Sequence, residues 1–325
     1  SVQSAEGAFK VAIEKAKKSQ IQWASLSINE RCEHLQDFVD VCEKNLSKIA
    51  KLITLETARS NASALGNVQG GIDFFTKYIE TAPAFFEPRI TFENDKEIHR
   101  VFHEPYGVVA VISPWNYPFM NVAWQCGQAL LAGNSIVYKN SEENPLFSKF
   151  LEELFKQSSI PDGVFNVLIG DGQVGKWMVE GDIDMISFTG STTTGQYLTK
   201  IAAEKYIPIV TELGGSAPLV IFDDIEVNDD LIELIWSRRF INAGQSCDAV
   251  KRLIVHEDIF EDVVSRLTKL IENKKIGDAS DDTIDIGPMV AKRQVKNIKV
   301  QVQDAESKGA RVEGGGEEPA DLQGD

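Results

Sequence analysis

Across residues 5–87 the apolar positions recur at three- and four-residue steps, as in Leu35, Phe38, Val39, Cys42, Leu46, Ile49, Leu52, Ile53 and Leu55. That spacing predicts helices with one buried stripe. Residues 90–101 alternate and carry charge, the pattern of an exposed strand or hairpin. The texture changes near Gly107. Short apolar runs at 107–112, 134–138, 164–169 and 184–188 alternate with helical patterns such as 146–157 and 195–204. Such alternation predicts parallel strands with crossover helices, hence a doubly wound α/β domain. After Glu212 a second series follows: a run at 219–222, a helix over 229–243, a strand over 252–256 and a helix over 261–273. It predicts a second α/β domain, so the expected division is 1–87 with 107–213, a β segment at 88–106, and 214–325.

Bulk properties narrow the function classes. The chain has 325 residues, 43% hydrophobic and 25% charged, a composition of globular proteins. A net charge of -16 argues against nucleic acid or an anionic membrane surface as a partner. No apolar run is long enough to span a bilayer. Residues 1–7 lack a basic start and an apolar core, so no secretory signal is expected; a removed transit peptide stays compatible with a chain that does not begin with Met. Four cysteines, Cys32, Cys42, Cys126 and Cys247, do not make a disulfide framework in a chain this long. A reducing, cytosolic setting and no metal centre are the expectations.

Five separated segments carry candidate chemistry. Phe240-Ile-Asn-Ala-Gly-Gln-Ser-Cys247-Asp-Ala-Val-Lys-Arg252 places one cysteine in a small-residue loop beside cationic side chains. That setting suits a thiolate nucleophile, although a lone cysteine as often fills space. Thr211-Glu212-Leu-Gly-Gly-Ser-Ala-Pro218 sets a carboxylate beside two glycines, readable as a base or as a solvated strand end. The others are Ile112-Ser-Pro-Trp115-Asn116-Tyr-Pro118, Lys139-Asn-Ser-Glu142 and Phe188-Thr-Gly190-Ser191-Thr-Thr-Thr-Gly195. In isolation Asn116 reads as a turn residue. Gly170-Asp-Gly172-Gln-Val-Gly175 is a literal G-x-G-x-x-G, but residues 190–195 lack the acidic partner a dinucleotide fingerprint requires.

Taken together and in this order, the five segments resemble the NAD(P)-dependent aldehyde dehydrogenase superfamily, over residues 8–316. The resemblance implies a doubly wound NAD-binding domain, a second α/β catalytic domain that is incomplete here, and a small β segment used in oligomers. It implies NAD as cofactor, with Lys139 and Glu142 on the adenosine ribose and Gly190 and Ser191 at the pyrophosphate. Trp115, Gly170, Gly195 and Ile112 would line the same site, while Gly172 and Gly175 would be turn residues. A carboxylate at Glu142 accepts ribose hydroxyls and repels a 2′-phosphate, which favours NAD over NADP. Cys247 would attack an aldehyde, Asn116 and the Cys247 backbone N–H would hold the oxyanion, and Glu212 would activate water. One oxyanion donor is commonly worth about 3 kcal/mol. Gly214, Gly215 and Gly244 would serve backbone requirements.

The chain departs from the family pattern in places. Asn140 stands where the ribose motif has proline, and Gln125 follows Trp124 where many hydrolytic members have lysine. The interval from Glu212 to Cys247 is one residue longer than usual, an addition expected around Asp223 and Asp224. An aromatic residue at Trp124 favours an uncharged aliphatic or aromatic aldehyde, or an aminoaldehyde held by cation–π contact. Met120, Trp124, Phe240 and Ser246 are expected to line the substrate tunnel. The resemblance implies that a longer protein would continue past residues 312–325 into a glutamate motif that contacts the nicotinamide ribose and a C-terminal strand used in oligomers. A homodimer or homotetramer is expected of the full-length protein. Two other readings stand beside hydrolytic oxidation: an acylating enzyme using coenzyme A, and a non-catalytic NAD-binding member.

Overall fold

The computed structural model describes residues 4–281 and 283–317, which divide into two compact units. Among the described residues, the first holds 4–53 and 65–213; the second holds 54–64, 214–281 and 283–317. The expected positions 318–325 of the second domain lie outside the described residues.

Four helices lead the chain: α1 (Ala8–Ser25), α2 (Ile28–Lys44), α3 (Leu46–Thr57) and α4 (Asn61–Phe86). Their start signals are local. Ser27 and Glu30 form a reciprocal capping box at the head of α2, satisfying two backbone donors that a helix end leaves open. Strands β1 (Arg89–Glu93) and β2 (Ile98–Val101) make an antiparallel hairpin exposed along its whole length.

The centre of the first unit is a parallel sheet of β3 (Val108–Ile112), β4 (Ser135–Lys139), β5 (Phe165–Leu168), β6 (Met185–Thr189) and β7 (Ile209–Glu212). Their order is β5-β4-β3-β6-β7. The apolar runs form these strands because both sheet faces are covered. On one side Ile13, Ala16, Val174, Met178 and Leu198 pack against Val108, Ala110, Val137 and Ile186. On the other, Phe38, Phe155, Phe165 and Tyr138 stack in series, with centroids 4.0, 3.7 and 5.6 Å apart.

Between β3 and β4 lies a helical run that hydropathy did not resolve. It consists of α5 (Pro118–Asn121), a π-helical turn (Val122–Gly127) and α6 (Gln128–Leu131). Crossovers α7 (Pro145–Gln157), α8 (Gly172–Glu180) and α9 (Thr192–Lys205) complete the unit. Gly172 and Gly175, expected as turn residues, instead open α8 and sit within it. The reason is local: Asp171 caps that helix by accepting the Gln173 N–H, so the turn ends one residue before Gly172.

In the second unit, β8 (Ala217–Ile221) pairs in parallel with β9 (Val250–Val255). Helices α10 (Asp229–Phe240) and α11 (Glu257–Glu272) pack Ile232, Ile235 and Val263 around the buried Ile221 and the partly buried Leu219, Leu253 and Val255. A further helix, α12 (Lys292–Ser307), was not anticipated because its apolar positions are sparse and no residue in it is buried. The helix expected to reach residue 243 ends at Phe240. Asn242 and Ala243 take left-handed backbone angles, which no right-handed helix can contain.

Candidate active site

Every strand of the first unit's sheet points the same way, so the segments leaving their carboxyl ends share one edge. These are the loop holding Trp115 and Asn116 after β3, Lys139 to Glu142 after β4, Gly170 after β5, Gly190 and Ser191 after β6, and Glu212 closing β7. The chain runs from β3 outward to β5, then returns to the other flank of β3 with β6. That reversal is the switch point at which open parallel sheets take ligands. Backbone pairing links two of these positions directly: the Gly190 N–H donates to the Glu212 carbonyl at 2.9 Å.

Ser191 caps α9, its hydroxyl accepting the Thr194 N–H, so the helix presents its free N–H end beside Gly190. A side chain at Gly190 would meet the Phe188 ring 2.5 Å away, so this approach requires glycine. Gly195 is buried within α9, where a Cβ would lie 2.6 Å from Leu213. Gly170 has φ 151, a turn conformation after β5. Ile112, half-buried, reaches within 3.8 Å of the Cβ position of Gly175.

Lys139 is 4% exposed, and burial holds its ammonium below the ordinary lysine pKa, against the opposing pull of Glu142 and Asp171. Its Nζ donates to the Asn140 carbonyl at 3.0 Å. Glu142 is exposed. Asn140, standing where the family motif has proline, is buried and its side-chain oxygen accepts the Ser141 N–H at 2.9 Å.

Asn116 and Trp115 are half-buried, and Glu212 is exposed. Trp124, on the π-helical turn, is exposed and meets Phe74 edge-on at 5.8 Å and Tyr117 at 6.3 Å. Met120 packs against α4, where a Cβ at Gly70 would lie 2.7 Å from its methyl. Gln125 does something the sequence could not reveal. Its Oε1 accepts the Ser113 hydroxyl at 2.5 Å and its Nε2 donates to the Ser187 hydroxyl at 3.2 Å. One neutral amide thus bridges β6 and the start of the Asn116 loop, a task needing an acceptor and a donor on one group.

The second unit carries Cys247, and its surroundings are built within that unit. Cys247 is exposed, whereas Cys32, Cys42 and Cys126 are buried free thiols. Burial pushes the pKa of all three upward, which disfavours their thiolate forms. A Cβ at Gly215 would lie 2.9 Å from the Cys247 carbonyl oxygen, while Gly214 has open space. Gly215 is therefore the glycine that the cysteine backbone requires. Lys251 donates to the Gly215 carbonyl, and Arg252 to the Ser216 carbonyl at 2.9 Å. Ser246 is buried and its hydroxyl donates to the Asp248 carboxylate. Phe240 ends α10 beside Trp236, centroids 6.2 Å apart.

Among the described residues, Asp223, His256 and Asp258 bring ligand atoms within 4.8 Å of one another. His256 is occupied as the cap of α11, accepting the Asp258 N–H at 3.3 Å, and the positive end of that helix disfavours a cation.

Comparison with known proteins gives a consistent answer. The model of the aldehyde dehydrogenase family matches residues 2–325. D-glyceraldehyde dehydrogenase (NADP(+)) of Picrophilus torridus is 31% identical, over 98% of this chain and 62% of its own. The peroxisomal aminoaldehyde dehydrogenase 1 of Pisum sativum is 33% identical, over 94% of this chain and 62% of its own. Among solved structures, the NAD+ complex of an aldehyde dehydrogenase from Bacillus cereus matches with a TM-score of 0.94 and 30% identity, covering 98% of this chain and 66% of that one. The chain thus spans about 62% of the length of the two relatives.

Proposed function

The chain belongs to the aldehyde dehydrogenase family, and from that premise we propose that the full-length protein oxidises an aldehyde to a carboxylic acid with NAD. The observation that carries the reading is the carboxyl edge of the first unit's sheet. It gathers the Asn116 loop, Lys139, the Gly190–Ser191 helix end and Glu212 at a switch point. The residues fit the cofactor. Lys139 spends one N–H on the Asn140 carbonyl and retains two, suited with the Glu142 carboxylate to ribose hydroxyls. The first turn of α9, capped by Ser191 beside Gly190, offers its backbone N–H groups to the pyrophosphate, with Trp115, Gly170, Gly195 and Ile112 around them. When bound, NAD supplies the hydride acceptor.

The remaining chemistry belongs to the chain. Cys247 Sγ bonds to the aldehyde carbon, and the Asn116 amide with the Cys247 N–H stabilises the oxyanion that forms. Loss of hydride converts that adduct to a thioester. Glu212 takes a proton from water, whose oxygen displaces the thiol and releases the acid. The exposed face of Trp124, set among Phe74 and Tyr117, supports an uncharged aliphatic or aromatic aldehyde, or an aminoaldehyde, with Met120, Phe240 and Ser246 as further lining. The β1–β2 hairpin exposes Ile90, Phe92, Ile98 and Val101, which supports a homodimer or homotetramer assembled along it. No described helix is long and apolar enough to cross a membrane. The four free cysteines are in keeping with a reducing cytoplasm.

NADH formation by the full-length protein over a panel of neutral, amino- and acidic aldehydes tests this. Turnover should vanish in Cys247→Ala, and NAD should bind more tightly than NADP. Turnover that survives the substitution, or a product that requires coenzyme A, would overturn the hydrolytic mechanism. Tighter NADP binding would overturn the role given to Glu142.

A further inference from the structure

We infer that Gln245 is a positioning residue for Cys247, holding the nucleophile loop in a left-handed turn that its own backbone disfavours. The inference rests on the reading of Cys247 as nucleophile. Asn242, Ala243 and Gly244 take φ values of 53°, 54° and 74° in succession. Glycine adopts that region freely and asparagine tolerates it, but the Cβ of alanine crowds the following carbonyl oxygen. Such a residue persists only where its surroundings over-determine it.

Gln245 supplies those surroundings. Its backbone N–H and its Nε2 each donate to the Asn242 carbonyl at 3.0 Å, closing the turn twice over. Its Oε1 accepts the Val290 N–H at 3.1 Å, tying the turn to a segment 45 residues away. Arg239 backs the turn: a Cβ at Gly244 would lie 2.8 Å from its Nη1. Beyond Cys247, Gly215 meets its carbonyl oxygen. Without the amide, Ala243 is free to return to right-handed or extended backbone, and Cys247, four residues on, turns with it. Leucine in place of Gln245 loses both ends of the clamp. Glutamate keeps the acceptor for Val290 and loses the donor to Asn242.

The test reads the loop without requiring turnover. In the folded chain, iodoacetamide alkylation of Cys247 is followed by peptide mass spectrometry across pH values around the ordinary cysteine pKa; the other three thiols are buried. Gln245→Leu should displace this pH profile, and adding Ala243→Gly should bring it back, because glycine holds the left-handed turn without the clamp. In the full-length enzyme kcat should fall about tenfold with the NAD KM unchanged, and the same second substitution should recover it. An unchanged profile in Gln245→Leu, or no recovery on adding Ala243→Gly, overturns the inference. If Gln245→Leu does not fold, two milder variants decide. Gln245→Glu should displace the profile, and Ala243→Gly alone should raise the urea midpoint; failure of either overturns the inference. A clamp-dependent profile in a protein that never forms NADH would leave the turn standing and remove the dehydrogenase reading instead.

Discussion

Gln125→Leu keeps the bulk of the side chain on the π-helical turn and deletes its amide. The parent amide joins Ser113, 2% exposed, to Ser187, 8% exposed. The substitution strands both hydroxyls where water barely reaches them. Each stranded buried hydroxyl costs about 1–3 kcal/mol, so the two together should destabilise the first unit by about 2–6 kcal/mol. A second variant isolates the cause. In the triple substitution Gln125→Leu, Ser113→Ala, Ser187→Ala no polar group remains to be orphaned, and stability should return to within about 1 kcal/mol of the parent. Urea unfolding followed by tryptophan fluorescence is suited to this. Four of the five tryptophans (Trp23, Trp115, Trp124 and Trp177) lie in the first unit, leaving only Trp236 in the second. A loss below about 0.5 kcal/mol for the single variant, or a triple variant no better than the single, would refute the bridge.

Three further outcomes follow from particular positions. Tyr206 caps α9 with φ 56° and is 97% exposed, so Tyr206→Gly removes strain without losing burial and should gain about 1 kcal/mol in urea unfolding; a loss would show that the ring contributes. Burial lowers the folded-state pKa of Lys139 below that of an unfolded lysine. Stability is therefore fully present above the unfolded value of about 10.4 and is lost as pH falls from there through the folded value. Lys139→Met should raise the melting temperature at neutral pH, with a gain that shrinks toward the unfolded lysine pKa, while NAD binding weakens; an equal gain at both pH values would contradict this. Gly215→Ala drives a methyl toward the Cys247 carbonyl, 2.9 Å from the Cβ position. Its kcat should drop about tenfold or more in NADH assays, and wild-type turnover would show that the cysteine backbone can yield.

Hydropathy marked β3, β4, β5 and β6 because each is buried on both faces and so nearly unbroken in apolar character. It was silent on β7, an edge strand whose residues alternate between half-buried and exposed. The order of the five chemical segments disclosed the family, because each is a short local string that survives without knowledge of the fold. The helix boundary at Phe240 was not legible, since side-chain periodicity carries no information about the sign of φ at Asn242 and Ala243.

What the sequence by itself determined is therefore local: the helices and buried strands, the single loop cysteine, and the short segments that disclose the family. The tertiary structure decided what depends on distant partners. Gln125, a bare departure from pattern in the sequence, became a bridge because Ser113 and Ser187 lie 12 and 62 residues away from it. Gln245 became a clamp because Val290 is brought to it from 45 residues along the chain. Gly215 rather than Gly214 proved to be the glycine under Cys247 for the same reason. A hydrogen bond or a close backbone approach requires positions within a few ångströms, and only folding sets those positions for residues far apart in the chain.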